Sequence, residues 1–107
     1  MEVSNENIGQ KFYFIDTVYS NGTALAECGT LKSVIPKYNF RDSFGSAFKR
    51  EENILFLVKT TAGTDVNKVV TNDKLIFDQL ADIIRYCSSC KMDVVFGYSV
   101  LLEGGMQ

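Results

Sequence analysis

The sequence predicts an α+β fold, a mostly antiparallel sheet of about five strands packed by one long helix over residues 73–90. Three observations predict it. Aromatic and β-branched residues fall in short runs, of which Ile54-Leu55-Phe56-Leu57-Val58 is the most continuous. An Asn21-Gly22 dipeptide, whose tolerance of positive φ suits a tight hairpin turn, separates two such runs. Finally, Leu75, Ile76, Leu80, Ile83, Ile84 and Cys87 recur at 3.6-residue spacing and form one apolar stripe. A chain of 107 residues has room for a single core, so one domain over 1–107 is expected, with polar segments 1–10 and 104–107 as flexible tails.

Lys11 to Ser20 reads as the first strand and Thr23 onward as its return. A two-residue turn at Asn21-Gly22 would place Val18 opposite Leu25, Ile15 opposite Cys28, Phe12 opposite Leu31 and Asp16 opposite Glu27. Residues 21–35 also carry a helical alternative, because Ala24, Leu25, Cys28, Leu31 and Ile35 share one face at helical spacing. After Pro36, the four-residue spacing of Phe40, Phe44 and Phe48 suits a short helix and is also compatible with a strand. Ile54 to Thr61 is apolar and β-branched enough for a central strand, Ala62-Gly63-Thr64-Asp65 reads as a turn, and Val66 to Val70 as a partner strand. Asn72 or Asp73 can cap the long helix, and Asp93 to Leu102 is expected to close the sheet as a last strand. The run Glu52 to Thr61, followed by a helix and a closing strand, resembles the second half of the CutA-like ferredoxin fold. That likeness implies a ferredoxin-like βαββαβ arrangement as the alternative.

Composition narrows the function. Histidine is absent, which removes the side chain most used for proton transfer and metal ligation near neutrality. No phosphate loop, nucleophile elbow or dinucleotide fingerprint occurs. No catalytic residue, metal or cofactor is expected. The acidic, polar start is unlike a secretory signal and no apolar run approaches the ~20 residues of a membrane span, so a cytoplasmic protein without membrane contact is expected. Three cysteines, an odd number, agree with a reducing compartment. Cys87-Ser88-Ser89-Cys90 has the spacing of half a zinc site or of a redox pair. With no histidine, and with the pair at a helix C-terminus, a packed core thiol is the favoured reading.

Two places could carry function. Asp16 opposite Glu27 would be a carboxylate pair on one sheet face, raw material for acid-base chemistry or a cation site, but a solvated polar notch on the outer face is the favoured reading. The stretch 32–50 holds five bases against one acid, +4 in a chain of net charge −2, and interleaves them with aromatic residues. Lys37, Tyr38, Phe40, Arg41, Phe44, Lys49 and Arg50 are therefore the expected partner-binding residues. The expected function is a non-catalytic protein-interaction module, a small regulator or inhibitor that masks an acidic partner surface, with homodimer pairing expected through exposed sheet edges. The alternative is a single-stranded nucleic-acid-binding module built on the same segment.

Overall fold

A computed structural model describes residues 5–35, 40–41, 47–48, 54–61, 63–70 and 73–104. Its strands are β1 (Lys11–Val18), β2 (Thr23–Ile35), β3 (Phe40–Arg41), β4 (Ala47–Phe48), β5 (Ile54–Thr61), β6 (Thr64–Val70), β7 (Ile76–Phe77) and β8 (Asp93–Phe96). Two short helices complete it, α1 (Leu80–Ser89) and α2 (Tyr98–Gly104). The main sheet runs β6-β5-β2-β1-β7. One edge of β2 pairs with β1, while its other edge takes β8 in parallel at Thr23 to Ala26 and β5 antiparallel at Thr30 to Ile35.

The sheet curls until its two ends meet. Adjacent strands lie about 4.8 Å apart, so β6 and β1, three intervals apart, would be ~14 Å apart in a flat sheet. Yet Lys68 of β6 reaches Asp16 of β1 at 2.6 Å. Val70 of β6 and Ile76 of β7, from opposite ends of the strand order, share one buried cluster with Phe12, Phe14 and Leu31. Two bulges supply the bend. Asp16 is the extra residue between the pairs Ile15↔Ala26 and Thr17↔Leu25, and Lys32 is the extra residue between Leu31↔Leu57 and Ser33↔Phe56. Such insertions bend a strand and sharpen its twist.

The expected fold class is therefore corrected: the protein is dominated by a curled sheet, with two short helices in place of one long helix over 73–90. Within that span, Asp73–Leu75 is a 3-10 turn and Ile76–Phe77 is β7. β7 lies on the open edge of β1, with Tyr13↔Phe77 and Phe14↔Ile76. Edge pairing decides the conformation. Ile76 turns into the concave cluster, while Leu75 and Phe77 pack against the cluster on the convex face, an alternation that only a strand provides. The helix starts after Gln79, which has extended backbone angles and no side-chain cap, rather than at Asn72 or Asp73. The ferredoxin-like alternative fails as well, since β1 runs directly into β2 through a hairpin with no helix between them.

The hairpin itself is present with a different turn. Tyr19 N–H donates to Thr23 O at 2.8 Å, Gly22 N–H donates to Tyr19 O at 3.0 Å, and Gly22 adopts φ +84°. The loop thus has three residues, with glycine alone in the left-handed region, and Asn21 uses its Oδ1 to accept Thr23 N–H at 3.1 Å. The longer loop moves every partner by one position, and the Asp16 bulge moves the rest by another. Phe14 faces Glu27, Tyr13 faces Cys28 and Phe12 faces Gly29, in place of the expected pairs. Where a helix was considered for the spaced phenylalanines, β3 and β4 form a separate antiparallel ladder, Phe40↔Phe48 and Arg41↔Ala47. Gly9 N–H donates to Leu31 O and Leu31 N–H donates to Gln10 O, both at 2.9 Å, tying the start of the chain to β2.

On the convex face, α1 lays Ile83 and Cys87 against Ile15, Ala24 and Ala26. Ile83 is fully buried, whereas Ile84 is 46% exposed. Ile83→Ala should therefore destabilise by ~2–5 kcal/mol and Ile84→Ala by well under half of that, as read from denaturant melts. The end of α1 is a Schellman cap, in which Met92 N–H donates to Cys87 O at 2.8 Å and Lys91 N–H to Ser88 O at 3.1 Å. Lys91 stands in the left-handed position at φ 57°, where glycine carries no steric penalty. Lys91→Gly should raise stability by about 0.5–1 kcal/mol, a shift visible in the thermal midpoint.

Candidate functional site

The concave face ends in a cluster of charged groups. The Asp16 bulge turns its carboxylate inward, where Lys59 Nζ lies 2.8 Å from Oδ2 and Lys68 Nζ lies 2.6 Å from Oδ1. Lys59 is also 3.8 Å from Glu27 Oε1, so a single ammonium bridges the two carboxylates expected to face each other. Their side chains are only 8% and 6% exposed. Glu27 is completed by the Ser99 hydroxyl, which donates to its Oε2 and itself accepts Cys28 N–H at 2.8 Å.

These contacts also explain why the closing strand stops early. β8 ends at Phe96, Gly97 N–H donates to Ala26 O at 2.8 Å, and α2 begins at the next residue. A Cβ on residue 97 would lie 1.7 Å from Glu27 Oε1, so a larger residue there would displace the buried carboxylate. Residues 98–102, expected as strand, instead form the helix that delivers Ser99 to β2, at the place where β2 exchanges β8 for β5. A cleft of about 140 Å³ lies there, lined by Cys28, Gly29, Thr30, Thr60 and Ser99. It is smaller than the ~300–1,000 Å³ typical of small-molecule sites.

Electrostatics make the cluster structural. Burial acts to raise the Asp16 pKa, but the hydrogen bonds and charges of Lys59 and Lys68 outweigh it and hold the carboxyl below its ordinary 3.8. An acid fixed as carboxylate throughout the neutral range neither gives nor takes protons there. Since the folded-state pKa lies below the unfolded one, the Asp16 contribution to stability is complete above about pH 4 and is lost as pH falls through the folded value. Acid titration of stability should show a steeper loss for the wild type than for Asp16→Asn.

The outer surface differs. Along β8 and α2, large apolar side chains remain exposed: Val95 44%, Phe96 41%, Tyr98 50% and Leu101 52%. They lie in seven consecutive residues, and β8 pairs with β2 alone among the described strands. Of the residues expected to bind a partner, Phe40 and Arg41 form β3, whereas Lys37, Tyr38, Phe44, Lys49 and Arg50 lie outside the described residues. The sequence pattern hides the β8–α2 surface, because Val95, Phe96, Tyr98, Val100 and Leu101 all fit the packing faces of a closing strand over Asp93 to Leu102. The break at Gly97 sends Ser99 and Val100 inward and leaves Val95, Phe96, Tyr98 and Leu101 outside. Cys87 is a buried free thiol, as the packed-core reading expects, and Cys90 is an exposed one.

Among the described residues, no helix is long and apolar enough to cross a membrane. Comparison with family models, with curated proteins and with solved structures gives no match to this chain.

Proposed function

We propose that the protein is a non-catalytic interaction module of the cytoplasm, a small regulator or inhibitor that covers the surface of a partner protein. The exposed apolar side chains of Val95, Phe96, Tyr98 and Leu101 on the β8–α2 edge carry this reading. Aromatic and aliphatic anchors on an open strand edge suit a protein partner, which supplies apolar pockets and main-chain hydrogen bonds. The +4 stretch at 32–50 supports a partner with an acidic face. The buried carboxylates support binding over chemistry, because lysines and a serine engage their oxygens.

The test compares three proteins as bait in a lysate of the native host: wild type, Phe96→Glu with Leu101→Glu, and Lys37→Glu with Arg41→Glu and Lys49→Glu. The apolar double variant should lose the partner that the wild type retains at stoichiometric level, and that binding should depend weakly on salt. Recovery of nucleic acid with a steep log-log salt dependence, abolished by the charge reversal alone, would establish the nucleic-acid alternative instead. Unchanged recovery by both variants would refute the reading.

A further inference from the structure

The capped end of α1 gathers reactive side chains that the interaction surface does not use. Cys87 is fully buried between α1 and the sheet, and Cys90, three residues on, is exposed. Cys90 N–H is shared between Tyr86 O at 3.1 Å and Cys87 O at 3.2 Å, so the last turn is partly tightened to 3-10 form. In that form, side chains at i and i+3 come close to eclipsing. Residues three apart on a helix hold their Cβ atoms about 5–6 Å apart, and a disulfide needs ~3.5–4.5 Å. The remaining gap falls at the C-cap, where Cys90 has left helical geometry (φ −93°, ψ 3°). At this turn the Cys90 Sγ lies 3.9 Å from Ser89 Oγ.

The geometry points to Cys87 and Cys90 as an exchangeable dithiol, a site of reversible oxidation by low-molecular-weight disulfides such as oxidised glutathione. The exposed Cys90 thiolate attacks one sulfur of the oxidant, forming a mixed disulfide and releasing one glutathione thiolate. Cys87 then loses its proton and attacks the Cys90 sulfur. The Cys87–Cys90 bond forms, and the second glutathione leaves as thiolate. The protein gives up two electrons and two protons, and the oxidised glutathione becomes two reduced molecules. The order of attack follows from the environments. Burial, and then the neighbouring Cys90, push the Cys87 thiol above its ordinary pKa, which suits it to resolve a mixed disulfide rather than meet the oxidant first. Met92, the next residue of the cap, packs in the same cluster as Cys87 and leads straight into β8, so oxidation acts where helix and edge strand join.

The test incubates the folded protein with oxidised glutathione, blocks remaining thiols by alkylation, and reads intact mass and peptide maps. Wild type should lose two hydrogens, carry a Cys87–Cys90 linkage and retain only Cys28 as an alkylated thiol. Cys90→Ser should form no linkage, and Cys87→Ala should accumulate a stable glutathione adduct on Cys90. Should Cys87→Ala fail to fold, wild type and Cys90→Ser decide by themselves. A wild type that keeps glutathione on Cys90, keeps all its thiols alkylatable, or places Cys28 in the bond would overturn the proposal.

Discussion

Lys59→Met should destabilise the protein by ~3–5 kcal/mol, more than any other replacement of a charged residue described here. Methionine keeps the length and apolar stem of lysine, so packing is largely retained and the loss is electrostatic. Without the ammonium, the partners left among the described residues are Lys68 for Asp16, with a side chain 37% exposed, and the Ser99 hydroxyl for Glu27. Two carboxylates that had shared one cation are then left buried near each other, each paying desolvation with incomplete compensation. Denaturant melts at neutral pH measure the loss. Part of it should return on acidification, because protonation removes the repulsion, and this recovery separates an ionic cause from a packing defect.

Phe14→Ala should cost ~3–5 kcal/mol, and the variant should lose the near-ultraviolet signal of a fixed aromatic core before it loses secondary structure. Phe14 is fully buried in the concave cluster with Phe12, Leu31, Val70 and Ile76. Its strand contacts β7 directly through Phe14↔Ile76, while Val70 approaches from the far end of the sheet. Removing the ring opens a cavity where the two sheet ends meet, a place unable to collapse without uncurling the sheet. Val66→Ala, on the same edge strand but 39% exposed, should cost under ~1 kcal/mol and serves as the control for β6.

How much was legible in the sequence depends on the range of the interaction involved. The hairpin could be read because Asn21-Gly22 acts over a few residues, and its exact register could not, because the turn takes three residues in place of two and the bulge at Asp16 leaves no local signature. Ile54 to Thr61 was readable for the same local reason. The long helix was misread at its start: Leu75 and Ile76 fit the helical stripe, but β1 had an open edge, and two residues of ladder there outweighed helix propensity. That competitor lies some sixty positions earlier in the chain, beyond the reach of any periodicity.

The candidate site shows the same limit. Proximity of Asp16 and Glu27 followed from the hairpin, yet the residue that joins them, Lys59, comes from β5 and arrives only through the long-range pairing of β5 with β2. Nothing in the spacing of 16, 27 and 59 announces it. Gly97 did carry a signal, a lone glycine within a presumed strand, which commonly marks a break or a close backbone approach. Given that weight, it divides 93–102 into strand and helix and brings Val95, Phe96, Tyr98 and Leu101 to notice as a surface.

The charged cluster clasps the curled sheet. A double-mutant cycle on Asp16→Asn and Lys59→Met tests it most directly, with unfolding free energies measured at neutral pH. The two residues belong to strands separated by β2, with Nζ and Oδ2 2.8 Å apart. The account predicts that the double variant is more stable than the sum of the single losses allows, by ~1–3 kcal/mol, because neutralising Asp16 relieves the carboxylate stranded by removal of Lys59. Losses that add to within ~0.5 kcal/mol would contradict it, showing that the two side chains do not form a buried ion pair in the folded protein.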